Sequence, residues 1–266
     1  RVFSFAGAAL GSLAVLAGLI YLLYSGSELP SDASGNKPLL VYCAAALKPA
    51  MQAVAADYER ETGVRIEFRF GNSEQVLANA SLSREGDLFL PADESFVRAA
   101  EAQGLVAETF PLAEMRAVVL TKAGNPRGIV HFKDLLQPGL KLGQANPDAA
   151  AIGKVTLDHL QQLGLWNELA AHTLVYHTTV TDAANAVLAG SNDATIVWDA
   201  VAANYPNLAM VRLPELDGAI GKVELAVLRS AMDRGAAERL VRFVRSPEHG
   251  AAAFRAAGFT DFEVAP

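Results

Sequence analysis

The stretch Val41-Tyr42-Cys43-Ala44-Ala45-Ala46-Leu47-Lys48-Pro49-Ala50-Met51 decides how this chain reads. It begins as a short apolar run that fits a buried strand. Downstream, Leu47, Met51, Val54, Ala55 and Tyr58 fall on one helical face, with a stop near Gly63. Three alanines join strand to helix, so no side chain in the turn is larger than a methyl group. A ligand can come close to such a backbone. The first turn of a helix also presents N–H groups that have no partner inside the helix. Together they make an anion site that needs no charged side chain.

The same alternation continues outward from this turn. Val64, Ile66 and Phe68 alternate with Arg65, Glu67 and Arg69, which predicts a strand with one wet face. Helices are predicted over 73–82 and 94–103, with a strand over 87–90 between them. Apolar strands are predicted over 117–120 and 223–228, about a hundred residues apart. Between these, strands at 142–144, 174–177 and 194–198 alternate with helices at 152–163, 182–188 and 201–205. The C-terminal part reads as helix over 236–245 and 247–257. Repeated strand–helix units predict an α/β fold of two lobes, each a mainly parallel sheet flanked by helices. The strands near 117 and 223 are the natural crossovers. They predict lobe one over 38–118 plus 223–266 and lobe two over 119–222, with a ligand cleft between them.

The bulk numbers exclude several classes. The chain has 266 residues, 52% apolar, with a formal net charge of −7. No basic run interleaved with aromatics occurs, which argues against nucleic acid as a partner. Cys43 is the only cysteine, so there is no internal disulfide and no cysteine metal motif. Within a strand it reads as a small buried hydrophobe rather than a reactive thiol. His131, His159, His172, His177 and His249 show no metal-ligand spacing. No H-E-x-x-H, G-x-S-x-G or G-x-G-x-x-G motif is present. The chain therefore reads as a non-enzyme without a cofactor or bound metal.

The N-terminal segment reads differently from the rest. Residues 2–27 contain no charged residue. Residues 2–24 would span about 34 Å as a helix, close to the roughly 30 Å core of a bilayer. Arg1 before it and Glu28 and Asp32 after it fit an N-terminus inside and a body outside the membrane. Residues 1–27 are thus expected to be a transmembrane anchor, or a signal cleaved after small residues near Ser25. Residues 28–37 are expected to be a flexible tether.

In open α/β sheets, ligands bind beyond the carboxyl ends of strands. The strand ends here carry Ala44–Ala46, Asn72 and Ser73, Ala92 and Asp93, residues 146–151, residues 178–181, and Trp198 with Asp199. Ser73 reads as either a helix cap or a hydroxyl donor. Asp93 reads as an N-cap, and Asp87 as structural. A cap is the commonest use of such residues. Several aligned turns facing one cleft strengthen the ligand reading.

Five motifs carry a resemblance. V-Y-C-A-A-A-L-K-P-A, F-G-N-S-E-Q-V-L-A, G-D-L-F-L-P-A-D, L-G-L-W and T-I-V-W-D-A occur in that order. The set resembles the periplasmic molybdate-binding proteins of ABC transporters, from about residue 39 to residue 259. The resemblance implies a type II periplasmic-binding fold that buries molybdate or tungstate between its lobes, and a permease partner in the membrane. It implies ligand contacts at Ala45 and Ala46, at Asn72 and Ser73, and at the Ala92 N–H. In lobe two it implies N–H donors at Ala151 or Ile152 and at Val180 or Thr181, with Trp198 where the family has a tyrosine. A serine hydroxyl of the family falls on Ala46, which has none. The expected protein is a monomer at the outer face of the membrane. Two other readings compete with it. One is the same fold holding a cation or zwitterion through Asp199, Asp148 and Asp93. The other is an extracytoplasmic sensor that acts through a membrane partner.

Overall fold

A computed structural model describes residues 37–259 and 261–262. The expected anchor over 1–27, and the tether apart from Lys37, lie outside the described residues. The first strand, β1 (Leu39–Ala44), runs through one turn of 3-10 helix (Ala45–Leu47) directly into α1 (Lys48–Thr62). Pro49 sits in the first turn of α1, where its missing N–H costs nothing. Gly63 ends the helix at φ 70°, a conformation only glycine adopts readily. Ala50, Met51, Val54 and Tyr58 form the buried face of α1, matching the helical spacing read from the sequence.

The alternation continues through β2 (Ile66–Gly71), α2 (Ser73–Ser83), β3 (Leu88–Leu90) and α3 (Glu94–Ala102). Then comes β4 (Val106–Lys122), a strand of 17 residues. After it come β5 (Leu142–Ala145), α4 (Ala151–Gln162) and α5 (Trp166–His172), a helix the periodicity did not predict. Next are β6 (Thr173–His177), α6 (Val180–Leu188), β7 (Ala194–Trp198) and the short α7 (Asp199–Ala202). The helix predicted over 201–205 thus begins earlier. The chain closes with β8 (Leu208–Val211), β9 (Ile220–Leu228), α8 (Arg234–Val244), α9 (Gly250–Ala256) and β10 (Asp261–Phe262).

The sheets are mixed, which corrects the expectation of mainly parallel ones. Among the described residues four strand pairings are parallel and five antiparallel. The parallel pairs are those made by strand–helix–strand units: β1 lies between β2 and β3, and β5 lies between β6 and β7. The antiparallel pairs involve β4 and β9, the two crossover strands. The first part of β4 pairs with β9, from Val106 opposite Leu228 to Arg116 opposite Ile220. From Ala117 to Thr121 the same strand pairs with β7 instead, and Val119–Lys122 also pair with β8. One strand therefore serves both lobes and changes partner at Arg116–Ala117. Its central stretch, Val118 to Leu120, is fully buried.

Asp193, just before β7, fastens the far end of this crossover. Its carboxylate accepts from Lys122 Nζ at 2.8 Å, Arg127 Nη2 at 2.9 Å and the Lys141 N–H at 3.1 Å. These donors, the lysine ammonium first among them, hold its pKa down at about 2. Asp87 does similar work in lobe one. Its Oδ2 accepts from the Leu40 N–H at 2.8 Å, and its carbonyl accepts from the Leu228 N–H. Burial raises its pKa.

Candidate functional site

The helix starts converge on one point. A cavity of about 20 Å³ lies where the ends of β1, β2 and β7 meet the first residues of α2, α4 and α6. From lobe one it is lined by Ala44, Ala45, Ala46, Gly71, Asn72, Ser73 and Ala92. Across from them lie Ala150, Ala151, Ile152, Thr179, Val180 and Trp198. No lining residue has an ionisable side chain. The wall of this cavity therefore carries no full charge.

Nine of the ten residues singled out in the sequence line this cavity: Ala45, Ala46, Asn72, Ser73, Ala92, Ala151, Ile152, Val180 and Trp198. Thr181 lines an adjoining, wider cleft instead. The other four lining residues, Ala44, Gly71, Ala150 and Thr179, belong to the same strand-end turns, and the sequence reading assigned none of them a ligand contact.

The local geometry says what each group can do. Asn72, and not Ser73, caps α2: its Oδ1 accepts from the Gln75 N–H at 2.7 Å. Asn72 Nδ2 donates across the cleft to the Thr178 carbonyl at 3.2 Å. The Glu74 N–H, also at the start of α2, donates to the Ala149 carbonyl at 3.1 Å. Two bonds thus join α2 to lobe-two loops. Ser73 Oγ accepts from the Ala92 N–H at 3.2 Å, and both residues are buried. A hydroxyl whose oxygen already accepts keeps its proton free to donate.

The helices of lobe two are presented differently. Ala150 precedes α4 and supplies no side-chain cap, so the N–H groups of Ala151 and Ile152 have no capping partner. Gly153 lets that end pack closely, because a Cβ there would lie 2.5 Å from the Ala145 carbonyl oxygen. Thr179 and Asp182 cap α6 reciprocally: Asp182 N–H donates to Thr179 Oγ1 at 3.0 Å, and Thr179 N–H donates to Asp182 Oδ2 at 3.2 Å. The aligned peptide dipoles at these ends favour negative charge in the cavity.

Trp198 is the most telling side chain. It is fully buried, and its indole Nε1–H has no hydrogen-bond partner. Burying a donor without a partner costs about 1–3 kcal/mol. The ring is seated against Gly221, where a Cβ would come within 2.6 Å of it. An indole can only donate.

The acidic residues near the strand ends face elsewhere. Asp199 Oδ1 accepts from the N–H groups of Arg116 at 3.0 Å and Ala200 at 2.9 Å, and Oδ2 lies 3.6 Å from Arg212. Asp93 caps α3 by accepting from the Ser95 N–H at 2.9 Å, and Asp148 is exposed. None of the three lines the cavity. Cys43 is fully buried, donates to the Ala44 carbonyl at 3.5 Å, and burial pushes its thiol pKa far up.

Residues 39–260 match the family of bacterial extracellular solute-binding proteins. The chain belongs to that family. Its fold is the two-lobed one of ABC-transporter solute-binding proteins, and its assignment is to solute binding rather than catalysis. Among its relatives is a molybdate-binding protein, ModA, of Mycobacterium tuberculosis. The two are 27% identical over 231 residues, which cover 84% of this chain and 87% of the relative. The Azotobacter vinelandii periplasmic molybdate-binding protein has a similar structure, with a TM-score of 0.73 at 23% identity. The match covers 86% of this chain and 99% of that one. The sulfate-binding protein SubI of Mycobacterium tuberculosis superposes with a TM-score of 0.75 at 19% identity, covering 85% and 87%. Family members like these are periplasmic or extracellular binding proteins.

Proposed function

We propose that this protein captures a tetrahedral oxyanion, molybdate or tungstate, between its two lobes and delivers it to an ABC permease. The observation that carries the reading is the character of the small cavity. It is lined wholly by neutral groups, it gathers helix N-termini from both lobes, and it contains a buried indole donor without a partner. Its volume also bears on the ligand. On the same scale one water needs about 10–15 Å³, whereas pockets for drug-sized organic molecules run to roughly 300–1,000 Å³. A cavity of about 20 Å³ suits a compact inorganic ion.

The energetics agree. Micromolar to nanomolar binding requires about −8 to −12 kcal/mol. Hydrogen bonds to a charged group contribute about 1.5–3 kcal/mol each. The Ser73 hydroxyl, the Trp198 indole and the N–H groups of Ala46, Ala151, Ile152 and Val180 reach that range after the cost of closure. In this reading lobe one comprises residues 38–118 and 223–266, and lobe two residues 119–222. The protein works as a monomer outside the membrane. The cation reading loses its support, because Asp199 is engaged by Arg116 and Ala200.

Titration calorimetry with molybdate, tungstate, sulfate and phosphate tests the proposal. Heat with molybdate or tungstate at micromolar affinity or better is the expected result. The absence of heat with all four anions would sink it.

A further inference from the structure

Beside the small cavity lies a wider one of about 600 Å³, and Ala45, Ala46, Gly71 and Thr179 line both. The partition between the two is therefore built largely of methyl groups and a glycine. A compact inorganic ion fills only the inner cavity and leaves the outer one without a role. The outer walls are largely apolar, with Pro49, Phe70, Val201 and Tyr205 among them. Phe70 is held in place: it stacks on Phe68 with centroids 4.8 Å apart, and Lys48 Nζ lies 5.3 Å from its ring centroid. Tyr205 is fixed by its hydroxyl, which donates to Asn185 Oδ1 at 2.9 Å.

The inner cavity restricts the head group. Trp198 can only donate, Ser73 Oγ already accepts from the Ala92 N–H, and both polar atoms of Asn72 are engaged. A head group that fits carries oxygens that accept and no proton of its own. The corner at Ala46 offers a backbone N–H but no side-chain donor, and it adjoins the outer cavity, so it leaves room for a carbon substituent beside an accepting oxygen. A sulfonate has this form: three accepting oxygens, no proton at physiological pH, and one carbon substituent.

The geometry points to an organic sulfonate with a compact apolar tail as a ligand of this protein, its head in the inner cavity and its tail against Phe70 and Tyr205. The inference rests on the oxyanion reading of the inner cavity. It is tested by titrating the full-length protein with molybdate, sulfate, methanesulfonate, benzenesulfonate and phenyl phosphate. Benzenesulfonate is expected to compete with the inorganic anion and to bind at least tenfold tighter than methanesulfonate. In Phe70→Ala and Tyr205→Ala that preference should shrink at least fivefold, while affinity for the inorganic anion stays within twofold.

If molybdate binds and no sulfonate displaces it, the inference is overturned and the oxyanion reading stands. If no anion binds, both fall. Benzenesulfonate binding that is indifferent to both substitutions places the tail elsewhere and overturns the inference. A preference for phenyl phosphate over benzenesulfonate overturns the argument about the head group.

Discussion

Asp193 and the small cavity both gather donors, with opposite chemistry. Asp193 is a permanent anion. It is buried and receives a lysine, an arginine and a backbone N–H. The cavity wall carries no cation at all, only backbone groups, two hydroxyls, one amide and one indole among its polar groups. Full charges suit an attachment that never has to let go, because breaking a buried ion pair costs several kcal/mol. Neutral donors suit a ligand that has to leave. They also keep the cavity indifferent to pH, since nothing in it titrates.

The two sites should respond to different substitutions. The largest expected effect is at Ala151. It is the first residue of α4 and follows an extended residue, Ala150, at φ −107° and ψ 133°. Proline is tolerated at that helical position, so Ala151→Pro keeps the helix and removes one cavity donor. Anion affinity should fall about a hundredfold, or close to 3 kcal/mol, with the melting temperature little changed. Calorimetry beside thermal unfolding checks both halves.

Asp193→Asn should do the reverse. It leaves Lys122 and Arg127 without their partner, and should lower stability by about 2 kcal/mol while anion affinity holds. The pH dependence has a definite sign. The folded-state pKa of Asp193, at about 2, lies below the ordinary carboxylate value of about 3.9. Its stabilisation is therefore fully present above about pH 4 and is lost as pH falls towards 2. Denaturant midpoints across that range should converge for the wild type and Asp193→Asn. Parallel curves would show that the carboxylate does not contribute this way.

Trp198→Phe separates binding from stability in one residue. Removing a donor that the ligand uses should weaken binding roughly tenfold, or about 1.4 kcal/mol. Without ligand the variant should lose no more than about 1 kcal/mol, because removing a buried donor without a partner offsets part of the cost of the cavity left by the smaller ring. A loss beyond about 3 kcal/mol in the free protein, more than the cavity alone explains, would mean that Nε1 is satisfied in solution.

The smallest effect is expected at Lys154. It lies on α4 yet pairs with Asp158 at 2.6 Å on an exposed face. Lys154→Ala should change affinity less than twofold and stability by no more than about 0.5 kcal/mol. A larger loss of affinity would mean that a cation assists the cavity after all.

Much of this was legible in the sequence because it is local. A strand, a small turn and a helix leave periodic marks, and the turns at 44–46, 72–73 and 150–152 were found from them. The first half of β4 was missed because Glu108, Pro111 and Glu114 interrupt its apolar run, and bulges at Val106/Glu108 and Pro111/Ala113 break its register. Its pairing with β9 links residues about a hundred apart, which no local period reports. Asn72 and Ser73 are both good caps, and only the fold shows that Asn72 takes the role. The direction of Asp199 depends on a backbone N–H in a distant strand, at Arg116. Nor could the sequence show that the Trp198 indole is left without a partner.

The two bonds from α2 to lobe two, Asn72 to Thr178 and Glu74 to Ala149, also set a clock. Together they contribute about 1–3 kcal/mol, which biases the lobes towards closure by roughly 5- to 150-fold even without a ligand. One of them takes up the amide of Asn72, a cavity-lining residue, and the other lies outside the lining. In the oxyanion reading, the residence time of a captured ion depends in part on how often these two bonds break together with the ion's own bonds to the two lobes. A permease that draws α2 away from the 149 and 178 loops would weaken closure without touching the ion.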